Sequence, residues 1–140
     1  MKVIFDTNIW ISYAIGKSLD NLSQILKRTD VELFVCDELL TEFQNVVQYP
    51  KLAKILKPDR IFETFELMNA VAVFIDIEKR TADFKDAKDN YLLDMCNTIQ
   101  ADYLVTGDKP LLALGRTNDT RIITYRAFCD VLGLINFDFT

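Results

Sequence analysis

The chain has 140 residues, 50% hydrophobic and 26% charged, a balance that fits one globular domain over 1–140 and excludes a disordered segment. It contains no histidine, which rules out histidine triads, imidazole general bases and imidazole metal ligands. The net charge of -5 makes the surface as a whole repel nucleic acid, so such a partner needs a local basic rim or a bound cation.

The first predicted element is a buried strand, Val3 to Phe5, ending abruptly on Asp6, with a helical turn region from Thr7 to Ile15. Ser18 is placed to cap a helix whose Leu22, Ile25 and Leu26 form an apolar stripe. A second strand, Glu32 to Val35, leads to Asp37 as N-cap of a helix that carries Leu39, Leu40, Phe43, Val46 and Val47 and stops at Pro50. Lys51 to Leu56 adds a short helix, and after Pro58 the residues Ile61, Phe62, Phe65 and Met68 repeat at helical intervals. Val71 to Ile75 supplies the third strand, and the polar stretch Asp76 to Lys88 reads as a loop.

From Asp89 to Gln100 the residues Leu92, Leu93, Cys96 and Ile99 describe one helical face. Tyr103 to Val105 is the fourth strand, running into Thr106-Gly107-Asp108. Pro110 to Leu114 is a short helix, Arg121 to Ile123 the fifth strand, and Thr124 the cap of a last helix through Leu132; Ile135 to Thr140 is a tail. No apolar run approaches the length of a membrane span, and the start lacks a basic-then-apolar signal pattern, so a soluble, cytoplasmic protein is expected. Cys36, Cys96 and Cys129 are widely separated in apolar contexts and read as buried hydrophobes.

Alternating strands and helices argue for a three-layer α/β/α domain with a mainly parallel five-stranded sheet. If strand one is central, the order is 3-2-1-4-5, and strands one and four meet at the switch point where such sheets bind ligands. Asp6 and Asp108 then face one crevice, which Glu42 and Asp89 can also reach. Converging carboxylates suit a hard divalent cation such as Mg²⁺ and would repel one another without it.

Each acid has a plainer role available. Asp6 and Asp108 can cap the helices that follow them, and Asp89 can do the same while pointing toward the sheet. Glu42 borders the apolar stripe of its helix, and Glu38, one turn earlier, competes for the same role. Asp94 falls opposite the buried stripe and is assigned to solvent, and Asp83 and Asp86 to the loop surface. Thr106 and Asn8 read as donors that orient carboxylates, or as local turn bonds.

Four stretches in order, Val3-Ile4-Phe5-Asp6-Thr7-Asn8, Glu38-Leu39-Leu40-Thr41-Glu42, Asp86-Ala87-Lys88-Asp89-Asn90 with Leu92 and Leu93, and Ala101 through Lys109, carry a resemblance that spans nearly the whole domain. The chain resembles the PIN-domain nucleases, particularly the bacterial toxin type of toxin–antitoxin modules (VapC-like). The resemblance implies that Asp6, Glu42, Asp89 and Asp108 form the family's acidic quartet, which selects Glu42 over Glu38. It implies dependence on one or two Mg²⁺ or Mn²⁺ ions, ribonuclease activity and restraint by an antitoxin protein.

One departure is Pro110, where related sequences often carry a further acid. Lys85, Lys88, Lys109 and Arg116 are expected near the rim, with Lys88 and Lys109 the candidates for RNA phosphates. The helix after Ser18, the surroundings of Tyr13 and the tail Ile135 to Phe139 are candidate surfaces for a homodimer or an antitoxin. Two competing readings are a haloacid-dehalogenase-like phosphohydrolase, which would want an aspartate where Asn8 stands, and a PIN module that binds without catalysis.

Overall fold

In the computed structural model the described residues are 1–16, 21–80, 82–83 and 89–134. Ser18, Lys85, Asp86, Lys88 and the tail Ile135 to Phe139 lie outside them. Strand β1 (Lys2–Phe5) is flanked by β2 (Glu32–Val35) and β4 (Tyr103–Val105), and the full sheet runs β3-β2-β1-β4-β6-β5, where β3 is Ala72–Phe74, β5 Arg116–Thr117 and β6 Thr120–Ile123. All neighbours are parallel except β5 with β6. Val3, Ile4 and Phe5 are all buried, as a central parallel strand covered on both faces requires.

The expected order is present, with one strand more than expected. β5 consists of only Arg116 and Thr117, pairing antiparallel with Arg121 and Thr120. Two polar residues carry no alternating hydrophobic pattern, so a hairpin arm this short leaves no sequence signal. Gly115, at φ 74°, ends the preceding helix α7 (Lys109–Leu114) in the left-handed conformation that turns the chain into β5.

The crossovers between parallel strands are helical. Helix α1 (Thr7–Ile15) and the short α2 (Leu22–Lys27) join β1 to β2; α3 (Asp37–Val46), α4 (Pro50–Ala53) and α5 (Pro58–Val71) join β2 to β3; α6 (Asn90–Ile99) precedes β4, and α8 (Tyr125–Val131) follows β6. α1 packs on α3 and α5. Cys36, not Asp37, occupies the cap position of α3, and Asp37 and Glu38 lie in its first turn, where acids complement the helix dipole. Pro50 opens α4, the place where a missing N–H costs nothing.

Phe5 is the hub that links sheet and helices. Its ring lies 5.6 Å from Trp10 of α1, 6.3 Å from Tyr125 and 5.9 Å from Phe128 of α8. The three cysteines are buried and free, as their apolar contexts predict. No helix among the described residues is long and apolar enough to cross a membrane.

Asp94 corrects the helical-wheel expectation of a solvent-facing side chain. It is 3% exposed, and its Oδ1 accepts the Ala82 backbone N–H at 2.8 Å. The segment after β3 lies over α6, with the Glu78 N–H also donating to Thr98 Oγ1. A wheel drawn from one helix cannot register a cover supplied by distant sequence.

Candidate active site

The parallel register brings Phe5 opposite Val105, so the residues that leave the two strands, Asp6 and Thr106, meet beyond the sheet's carboxyl edge. The Asp6 N–H donates to the Val105 carbonyl at 2.9 Å, and the Thr106 N–H to the Ile123 carbonyl at 3.0 Å. Both strand ends are therefore held by backbone bonds before any side chain acts.

Asp6 is 4% exposed and fully engaged. Its Oδ1 accepts the Thr7 N–H at 2.6 Å, and its Oδ2 accepts the Thr106 hydroxyl at 2.7 Å and Asn8 Nδ2 at 3.3 Å. Thr106 Oγ1 in turn accepts the Asp108 N–H at 3.0 Å, and Asn8 Oδ1 accepts the Gly107 N–H at 3.2 Å. One buried hydroxyl thus couples the two strand-end acids, and Asn8 spans the same gap. Where a dehalogenase-type phosphohydrolase needs a second aspartate, this chain has an amide that braces two loops.

Burial pushes the Asp6 carboxyl up to about 6 from its ordinary 3.8; the bond from Thr106 opposes this, and the negative charges of Glu42 and Asp89 add to it. The charged form pays for leaving water and for its neighbours, which is the electrostatic state that a cation relieves.

The other acids come from three helices. Glu42, in the second turn of α3, accepts the Tyr91 hydroxyl at 2.6 Å, and Tyr91 Oη lies 3.4 Å from Thr7 Oγ1. Burial, followed by the bond to Glu42, pushes the Tyr91 phenol far above its ordinary range, so it stays protonated and donates. Asp89, 5% exposed, precedes α6 but gives that helix no side-chain capping bond. Asp108 does cap its helix, accepting the Leu111 N–H at 3.2 Å; the capping role and a place in the crevice coexist.

Asp6, Glu42, Asp89 and Asp108 line one cleft of about 270 Å³, together with Thr7 and Asn8, Ile11 and Ser12 of α1, and Val46 of α3. Among the described residues no basic side chain is in that lining. Among the described residues no three acids are close enough to form a ready-made cation cage. Glu42 is bonded to Tyr91 and Asp108 to the α7 backbone. The carboxylate and hydroxyl oxygens of this lining suit Mg²⁺ or Mn²⁺, because Mg²⁺ keeps several waters and needs only one or two carboxylates directly.

The remaining candidates separate clearly. Glu38 lies outside the cleft and pairs with Arg80 at 2.6 Å, and Asp83 is exposed. Lys109, the first residue of α7, is exposed and does not line the cleft; Arg116 is in β5 at the far edge of the sheet. Tyr91, the partner of Glu42, is the side chain at the cleft that sequence spacing missed. Its only trace was a tyrosine bordering the apolar face of α6.

A PIN-domain family model matches residues 2–110, which includes all four acids of the cleft. Comparison with curated proteins finds no match. Among solved structures, the crystal structure of VapBC2 from Rickettsia felis bound to a DNA fragment from their promoter contains a chain with the same fold, at 18% identity and a TM-score of 0.59 over 87% of this chain and 97% of that one. The family match over most of the sequence, on a sheet whose strand ends converge on this acidic cleft, establishes that the chain belongs to the PIN-domain family.

Proposed function

We propose that this chain is a Mg²⁺- or Mn²⁺-dependent endoribonuclease, that Asp6, Glu42, Asp89 and Asp108 hold the metal and carry the catalysis, and that it is the toxin of a toxin–antitoxin pair. The observation that carries the reading is the meeting of four carboxylates in one cleft at the carboxyl ends of β1 and β4. When bound, one or two such ions would lower the pKa of a water to furnish hydroxide and offset charge on the scissile phosphate. Phosphodiester hydrolysis of this kind needs no histidine, in keeping with the composition.

The protein's own part is to hold negative charge in place. Thr106 and Asn8 fix the Asp6 carboxylate, and Tyr91 fixes Glu42. Asp6 and Asp108 would be the direct ligands of a bound ion; Glu42 and Asp89 would complete its surroundings or hold a second ion, and either could accept a proton. Lys109 and Lys88 remain proposed phosphate contacts. Single-stranded RNA is the expected substrate because unpaired bases are accessible.

The VapBC2 neighbour was crystallised with a DNA fragment from the promoter, which supports an antitoxin protein as partner; a homodimeric assembly and action in the cytoplasm are further parts of the proposal. The test is cleavage of a mixed-sequence single-stranded RNA by the purified protein. Cleavage should appear with Mg²⁺ or Mn²⁺, vanish with EDTA and return when metal is restored. Cleavage that persists in EDTA would overturn the proposal.

Tyr91 supplies a sharper prediction. Removing only its hydroxyl in Tyr91→Phe should lower kcat by about 10–100-fold and weaken Mn²⁺ binding, as loss of partners behind metal ligands commonly does. The fold, followed by circular dichroism, should be unchanged. Full activity in this variant would show that Glu42 does not depend on its tether.

A further inference from the structure

The cleft has a neighbour made of different residues. A second groove, about 510 Å³, shares Glu42 and Val46 with it and is otherwise lined by Asp37, Glu38, Thr41, Asn45, Tyr49 and Tyr91. All but the two tyrosines come from α3, whose turns set Asp37, Thr41 and Asn45 in one row and Glu38, Glu42 and Val46 in the next. One helix therefore walls the groove and gives the cleft its Glu42.

Tyr49 is 55% exposed, and its N–H donates to the Val46 carbonyl at 3.0 Å, which holds it within a turn of Asn45 and Val46. An aromatic ring, an apolar side chain and an amide thus stand together next to a residue of the acidic cleft. Tyr91 lines the groove while giving its hydroxyl proton to Glu42 at 2.6 Å. Glu38 is engaged by Arg80. Asp37, Thr41 and Asn45 are exposed, and their side chains form no hydrogen bond or ion pair with another described residue.

Among the described residues the charged side chains of this lining are all carboxylates, which accept hydrogen bonds and, when ionised, donate none. Such a surface rejects a phosphate. It suits an uncharged ring that brings N–H donors, and the amino groups of adenine, cytosine and guanine are such donors, whereas uracil has none. A side-chain amide adds a preference among them, because it meets adenine N6 and N7 at once.

We infer that this groove is a nucleobase subsite, in which an unstacked base of single-stranded RNA lies against Tyr49 and Val46 with its amino edge turned to Asn45, adenine fitting best and uracil worst. This rests on the ribonuclease reading and names which bonds the enzyme cuts. Unpaired bases are held in this way, stacked on an aromatic face and read along one edge. Because Glu42 and Val46 border both spaces, a nucleotide seated in the groove has its phosphate beside the cleft.

The experiment uses the full chain. Short oligouridines with one central adenosine, or with none, are offered to wild type with Mn²⁺, and cleavage beside the central base is read as kcat and KM. The adenosine RNA should exceed all-uridine in kcat/KM by about tenfold or more, the discrimination expected of one well-read base. Tyr49→Ala should remove most of that advantage through KM, and Tyr49→Phe, which keeps the ring, should restore it. Asp37→Asn combined with Asn45→Ala should bring the two RNAs level. The same RNAs, fluorescein-labelled, are titrated by anisotropy against Asp6→Asn with and without each change, so that binding is read without cleavage.

Equal kcat/KM for the two RNAs in wild type would overturn the inference and leave the nuclease reading standing. So would an adenosine preference that survives both Tyr49→Ala and the combined change. If wild type cleaves neither RNA with Mg²⁺ or Mn²⁺, while the Asp6→Asn chain prefers the adenosine RNA and loses that preference with Tyr49→Ala, the subsite stands and the nuclease reading falls.

Discussion

On the proposed reading Asp6→Asn should abolish RNA cleavage, by at least about 10²–10³-fold, and should make the metal-free protein more stable at neutral pH. The first effect follows from removing a negative side chain from the cleft, where the proposed chemistry is electrostatic. The second follows from its burial. A carboxyl whose pKa is higher in the folded chain than in the unfolded one stabilises the fold only while protonated. For Asp6 that contribution is complete below about pH 3.8 and is lost as pH rises through about 6.

At pH 7 the wild-type chain therefore carries a buried charge that the unfolded state hydrates freely. Asparagine removes that charge, still accepts the Thr7 N–H, and remains a good helix cap. It loses part of the bonding to Thr106 and Asn8, because an amide nitrogen now faces their donors. The net gain should be about 1–2 kcal/mol in EDTA, less than the ~3 kcal/mol that the pKa change alone implies. Urea unfolding at pH 7 and at about pH 4 reads it: the gain should shrink sharply at the lower pH. Added Mn²⁺ should stabilise wild type and leave the variant unmoved.

The largest effect on folding belongs to the neighbouring residue. Phe5→Ala should cost about 3–5 kcal/mol, the range for emptying a buried aromatic site, because Phe5 is 1% exposed and contacts Trp10, Tyr125 and Phe128. Domains of this kind have about 5–15 kcal/mol in total, so the variant should be marginal at 37 °C. It also loosens the place where Phe5 pairs with Val105, which fixes the meeting of Asp6 and Thr106. Phe62→Ala, at a position 66% exposed, should change stability by less than about 0.5 kcal/mol. Urea midpoints with unchanged slopes would separate the two; similar midpoints would contradict the packing account.

What could be read from the sequence depended on how local the cause was. Asp6 and Asp108 were placed by strand ends, and parallel crossovers put their strands side by side. Asp89 followed from the phase of α6. Glu42 was invisible to pattern, because its place depends on a tyrosine 49 residues away, and only resemblance separated it from Glu38. In the structure Glu38 instead meets Arg80.

Failures share one physical origin, contacts made by distant chain. Asp94 was assigned to solvent because its wheel position was judged without the segment that covers α6. The hairpin arm β5 was too short to have a period.

Mn²⁺ soaked into crystals of the wild-type protein and located by its anomalous signal is the most direct test of the metal centre. The account predicts a peak in the cleft bounded by Asp6, Glu42, Asp89 and Asp108 that disappears in Asp6→Asn. A Mn²⁺ peak elsewhere on the surface, with the cleft empty at saturating metal, would contradict it.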